Sequence, residues 1–221
     1  MGDLLPGLIY STLQRDYPEV LPLALANVPR QFRDQKPELQ YQASHCLRGG
    51  IDQINVGDRM VQLHTWAYPG WIQFKERLGV LLQVLQKTEV VKQVERFSFK
   101  YVNLIKGPVS ENRLSLLNIH VDVMGKPPIA NGFMLRSEVH EEKYITIVQI
   151  APTIMHEVRE NSSKAVEGLM IDVDSLSRQV GNEFWTNRDS LLDEGHMVVK
   201  RIFFALLTPT ALEGMGPEIG A

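Results

Sequence analysis

Apolar residues in this chain recur with two periods, and the order in which those periods appear limits the folds open to it. Between Trp71 and Leu85 the positions Trp71, Phe74, Leu78, Leu81, Leu82 and Leu85 follow one another at helical spacing and gather on one stripe. Beyond residue 106 the spacing drops to two. Leu117, Ile119, Val121 and Val123 alternate with Asn118, His120 and Asp122. Phe133, Leu135 and Val139 alternate with Arg136, Glu138 and His140, and Leu169, Ile171 and Val173 with Asp172 and Asp174. Strands with one buried and one wet face show that pattern. A chain that holds helical stripes first and strand alternation later is an α+β protein.

The earlier half divides further. Leu4, Leu5, Leu8, Ile9 and Leu13 predict a helix over 4–16, stopped by Pro18. Four prolines over 18–37 predict a crossing without a regular element. Strands are expected at 40–48, 51–56 and 59–66, separated by the turn signals Gly49-Gly50 and Gly57-Asp58. The helix 71–87 and a strand at 93–105 complete an order that resembles a ferredoxin-like split βαβ unit lacking its opening strand. Lys106-Gly107-Pro108 predicts the boundary, dividing a ferredoxin-like α+β domain at 1–106 from a second domain at 107–221. That second domain reads as a four-stranded antiparallel sheet: strands at 117–123, 133–140, 144–151 and 167–175, with a loop at 156–164. A long C-terminal helix follows at 188–207, with Asn187 as its N-cap and Thr208-Pro209 as its end.

Composition narrows the function classes. Hydrophobic residues make up 44% and charged residues 22% of the 221, as in globular proteins, and the net charge of −3 counts against non-specific nucleic-acid binding. With Cys46 as the sole cysteine, no disulfide can form within the chain, which suits a reducing compartment. No run approaches the ~20 apolar residues of a membrane span. The start lacks a basic segment leading into an apolar run, and Pro6 breaks the acylation motif that Gly2 would open. A cytoplasmic protein with no membrane partner is expected.

Several segments carry a family resemblance. Leu4-Leu5-Pro6-Gly7-Leu8, Tyr17-Pro18, Tyr68-Pro69-Gly70-Trp71 leading into Phe74-Lys75-Glu76-Arg77, and the strand from Arg96 to Asn103 are four of them. Leu169–Asp174 and the closing Ile202-Phe203-Phe204-Ala205-Leu206-Leu207-Thr208 are the others. Together they resemble a sporadically distributed family of uncharacterised prokaryotic two-domain α+β proteins. Members commonly open with an apolar strand before the first helix, so the resemblance implies a first sheet short of one strand here. It implies no activity, cofactor or site residue.

Candidate chemistry is sparse. His45 and Cys46 are neighbours on a strand and point to opposite faces, so a thiol–imidazole couple would need His64 instead. His156-Glu157-Val158-Arg159-Glu160 lacks the second histidine of a zinc-protease helix, and phosphate-cradling loops and nucleophile elbows of standard type are absent from the sequence. Alternation in the second half puts His120 with Asp122, Glu138 with His140, and Asp172 with Asp174 on the polar face, with Arg136 beside them. Histidine and carboxylate ligands of this kind suit Zn²⁺ or Mn²⁺, and paired carboxylates suit Mg²⁺; the bland alternative is the solvated face of a half-buried sheet. Arg48, Arg96 and Lys100, with Tyr41 and Trp66 near them in sequence, are the candidates for nucleic-acid contact. The weight of these features favours a non-catalytic binding or interaction component that associates with itself or with another protein. No cofactor is called for, although a divalent metal fits the polar face. A metal-dependent hydrolase or nuclease and a nucleic-acid-binding module are the alternatives.

Overall fold

The computed structural model describes residues 4–106, 113–126, 133–159, 162–178 and 180–215. The protein is α+β, with two four-stranded antiparallel sheets and a long helix near its C-terminus. It forms two compact units, Met1–Lys92 and Gln93–Ala221.

In the first unit, α1 (Leu5–Leu13) precedes β1 (Glu19–Pro22), a 3₁₀ turn (Ala24–Asn27) and two short helices, α2 (Arg30–Asp34) and α3 (Pro37–Gln40). Strands β2 (Ala43–Gly49), β3 (Asp52–Gly57) and β4 (Val61–Thr65) follow, then α4 (Trp71–Lys87). The proline-rich crossing thus holds the sheet's first strand, which the sequence pattern did not show. β1 is an edge strand, where Pro22 costs no ladder bond that a neighbour needs. The sheet order is β1-β2-β3-β4, so every strand lies beside its sequence neighbour. That is a meander and not the interleaved order of a ferredoxin-like split βαβ unit. Leu47, Ile54 and Leu63 fall on one face by register, and Leu47 and Ile54 are buried there with Val56. Leu5, Ile9 and Leu13 of α1 and Leu81, Leu82, Val84 and Leu85 of α4 complete this core. Arg77 on α4 donates to both carboxylate oxygens of Asp52 on β3, at 3.2 and 2.9 Å.

The second unit contains β5 (Ser98–Lys106), β6 (Leu135–His140), β7 (Tyr144–Arg159), β8 (Ser162–Ser177), α5 (Glu183–Ala205) and α6 (Pro209–Met215). Its sheet runs β5-β8-β7-β6. The strand expected to close the first sheet therefore belongs to the second, paired with β8 from Ser98↔Leu176 to Lys106↔Gly168. This moves the division of the chain ahead of that strand. Pairing partners far apart in sequence leave no local mark, so residue pattern alone does not assign β5 to its sheet.

Three further differences have local causes. Residues 117–123 form no strand: Leu117 bridges Leu207, and Val123 bridges Lys126 around a turn with positive φ at Met124 and Gly125. Asn118 instead caps α5, its side-chain amide donating to the Leu207 and Ala205 carbonyls at 2.8 and 3.1 Å. Helix ends leave such carbonyls without intrahelical partners. The polar stretch 156–164 is not a long loop, because β7 and β8 continue through it as a ribbon to Arg159↔Ser162. Finally, α5 begins a turn earlier than predicted; Asn187 is a kink inside it, with φ −109° and ψ 16°, rather than its cap.

The core of this unit joins Phe99, Val148, Ile150, Leu169, Ile171 and Val173 of the sheet to Phe184, Leu192, Val199 and Ile202 of α5. Gly195 permits the approach of the helix: a Cβ there would sit 2.8 Å from Phe97 Cε2 and 3.0 Å from Phe99 Cδ2.

Candidate functional site

Strand register decides which polar residues of the second sheet share a face. Directly paired residues in antiparallel strands point the same way. Glu138 pairs with Ile147, Ile147 with Asp174, and Asp174 with Lys100. One step along, Arg136, Gln149, Asp172 and Val102 form the next row. Arg136, Glu138, His140, Asp172 and Asp174 therefore do lie on one face, opposite the α5 core. They do not converge. β7 runs between β6 and β8, so the two acidic sets stand about 10 Å apart at the backbone, with Ile147 and Gln149 in the gap. His120 and Asp122 are not on the sheet at all, since 117–123 is irregular. Asp122 accepts a hydrogen bond from the Gly125 amide at 2.6 Å and shapes its own turn. Among the described residues, no group of three or more His, Cys, Asp or Glu side chains is placed to hold a metal ion. The six-residue metal constellation expected from alternation is not assembled.

Two smaller clusters take its place. On β6, an edge strand, Arg136 Nη2 donates to Glu138 Oε1 at 2.8 Å and His140 Nε2 lies 3.2 Å from Glu138 Oε2. The hydrogen bond from His140, then that from Arg136, holds the Glu138 carboxyl below its ordinary range. All three are exposed, and solvent screens their charges. On β5 and β8, Lys100 Nζ pairs with Asp172 Oδ2 at 2.7 Å. Asp172 is only 6% exposed, and Asp174 is half-buried beside it. Burial raises the Asp174 carboxyl, an effect offset in part by Lys100 and by a hydrogen bond from Ser98. The Oδ1 atoms of both aspartates are buried without a hydrogen-bond partner among the described residues.

The nucleic-acid candidates fall in different units. Arg48 belongs to the first unit, Arg96 and Lys100 to the second, and Lys100 is committed to Asp172. Tyr41 lies under a different guanidinium, that of Arg59, at 5.2 Å. Cys46 is buried, and His64 lies across two strands from β2, paired with Gln53, which in turn pairs with Arg48. No thiol–imidazole couple forms.

The first sheet supplies a feature that sequence periodicity missed. Its outer face carries the row Glu19, Arg48, Gln53 and His64, and beside it Asn55 and Gln62. The amides are linked, Gln53 to Asn55 at 3.4 Å and Asn55 to Gln62 at 3.0 Å. At the end of this face the Trp66 ring packs edge-on to His64, with centroids 4.5 Å apart. The Trp66 amide donates to the Ile51 carbonyl at 3.0 Å, which brings the β2–β3 turn alongside. Trp66 is 73% exposed, Ile72 in the first turn of α4 is 75% exposed, and Ile51 and Tyr68 are exposed as well. Ile72 falls outside the helical stripe of Trp71, Phe74 and Leu78, and that offset was the available signal.

In comparisons with known proteins, no family model matched the sequence, and neither the curated proteins nor the solved structures gave a match. No helix among the described residues is long and apolar enough to cross a membrane.

Proposed function

We propose that this protein is a non-catalytic binding component that self-associates through the Trp66 end of its first unit. The observation that carries the proposal is the exposure of Ile51, Trp66, Tyr68 and Ile72, with Trp66 hydrogen-bonded through its amide to Ile51 and packed on His64 of the polar sheet face. Tryptophan, tyrosine and arginine dominate the energetics of protein interfaces, and apolar patches ringed by polar groups mark such surfaces. The rim favours a second copy of the chain as partner. Glu19 and Arg48 stand side by side on it, so a two-fold arrangement can set each against its opposite number. The amides of Gln53, Asn55 and Gln62 supply donors and acceptors without net charge, and a single exposed cation is a poor match for a polyanion. The resemblance noted above carries no activity, so the proposal rests on this surface alone.

Light scattering over a concentration series tests it. The wild-type mass should rise from one chain towards two, and Trp66→Ala with Ile72→Asp should hold it at one. Each truncation is expected to cost the association about 2 kcal/mol, as interface anchors do. Folding stability should change by less than about 0.5 kcal/mol per site, because both side chains are exposed. A mass of one chain at every concentration, or a dimer indifferent to both substitutions, overturns the proposal.

A further inference from the structure

We infer that acid switches off association through the Trp66 end, with His64 as the sensor, an inference that rests on the self-association proposed above. The rings of His64 and Trp66 pack edge-on, with centroids 4.5 Å apart and planes at 73°. The Trp66 amide is tied to the Ile51 carbonyl at 3.0 Å, which fixes its backbone and leaves the ring to be placed by its contact with His64. His64 as a whole is half-buried, but its Nε2 atom is fully buried and has no hydrogen-bond partner among the described residues. A neutral imidazole tolerates that position, because one ring nitrogen carries no proton and can be the one left bare. A protonated ring does not. Both nitrogens are then charged donors, and a buried charged donor without an acceptor costs far more than a buried lone pair. The ring must turn towards water, and in turning it withdraws the surface on which Trp66 packs.

The groups around His64 do not supply the missing acceptor. Gln53 stands opposite it on β3, with Arg48 on β2 and Glu19 on β1 further along the same row. Glu19 is thus three strands away, roughly 14 Å at the backbone, and Arg48 repels an imidazolium. Asp52, on the other face of β3, favours the charged ring, yet both of its carboxylate oxygens are engaged by Arg77 of α4. Burial outweighs Asp52, and the His64 pKa lies below its ordinary value. A second copy covering this end takes the remaining water from His64 and deepens its preference for the neutral ring. Linkage then fixes the sign. Association is at full strength above the ordinary histidine value of about 6.5 and is lost as pH falls through the lower value of the free chain. Of the side-chain types on this face, histidine alone ordinarily changes charge between about pH 5 and 8.

Sedimentation of the full chain at about pH 7.5 and about pH 5.5 tests it, with circular dichroism recorded alongside so that unfolding is not taken for dissociation. The dissociation constant of the dimer is expected to rise at least about tenfold at the lower pH, since each released chain takes up to about one proton. His64→Gln, which keeps a planar polar side chain without the charge, should remove most of that rise. His140→Gln, on β6 of the other unit, should leave it intact. If His64→Gln does not assemble, the Cε1 proton resonance of His64 in the wild type decides instead, and its titration midpoint should be lower in concentrated than in dilute solution. A midpoint independent of concentration, a dimer as tight or tighter at the lower pH, or a rise retained in His64→Gln overturns the inference and leaves self-association standing. A mass of one chain at the higher pH overturns self-association itself, and the switch with it.

Discussion

The two sheets have the same strand number and the same antiparallel pairing, yet they are built in opposite ways. In the first, every strand lies beside its sequence neighbour, and the polar face is mostly linked amides with one cation and one anion. In the second, β5 reaches past the intervening chain to pair with β8, and the polar face holds two separate charged clusters. The contrast shows that strand alternation reports which face a residue takes, and says nothing about which strand stands next to it. Convergence of side chains, on which ligand chemistry depends, is a matter of strand order. In the second sheet that order sets β7 between the acidic residues of β6 and those of β8.

Buried polar groups offer the sharpest way to break the comparison. In the first unit, Arg33 and Asp58 form an ion pair at 3.3 Å with side chains 4% and 10% exposed. Arg33→Ala leaves the Asp58 carboxylate buried without that partner and should cost about 3–5 kcal/mol in urea unfolding. Asp58→Asn combined with Arg33→Met should recover much of the loss. A cost for Arg33→Ala below that of an ordinary surface change would show that the pair is solvated.

Close backbone approach gives the next effect. A Cβ at Gly49, on β2, would collide with the Asp16 carbonyl oxygen, whereas at Gly195 it would meet only the Phe97 and Phe99 rings. Main chain cannot swing aside as a ring can. Gly49→Ala should therefore destabilise by about 3 kcal/mol and Gly195→Ala by about 1, the latter softened by the better helix propensity of alanine. Chemical denaturation of the two variants checks the order, and a reversed ranking would mean that the second unit is the more tightly packed.

The smallest effect is a pH dependence with the same sign in both units. His196 is buried on α5 with Nδ1 3.2 Å from the Tyr101 hydroxyl, and burial, then Lys200, lowers its pKa against an opposing effect of Asp193. His64 in the first unit is lowered by burial and raised by Asp52. Each fold favours the neutral imidazole, while the unfolded histidine titrates near about 6.5. Their stabilisation is thus complete above that pH and is lost as pH falls through it towards the folded values. His196→Gln should flatten the stability curve below about 6.5 more than His64→Gln, because His196 is the more deeply buried.

Much of the local structure was legible from residue pattern alone. The α4 stripe, the β2–β4 meander with its Gly49-Gly50 and Gly57-Asp58 turns, the alternation of β6 and β8, and a long closing helix all follow from periods that a single element imposes on its own side chains. The α+β class and the shared face of Glu138, His140, Asp172 and Asp174 come from the same source. Strand order, the capping role of Asn118, the extended β7–β8 ribbon and the exposure of Trp66 do not, since each depends on a partner distant in sequence. An aspartate on a strand looks the same in sequence whether it is solvated or buried beside a second aspartate. Only the packed sheet removes the water from Asp172 and Asp174, and that desolvation depends on neighbours distant in sequence.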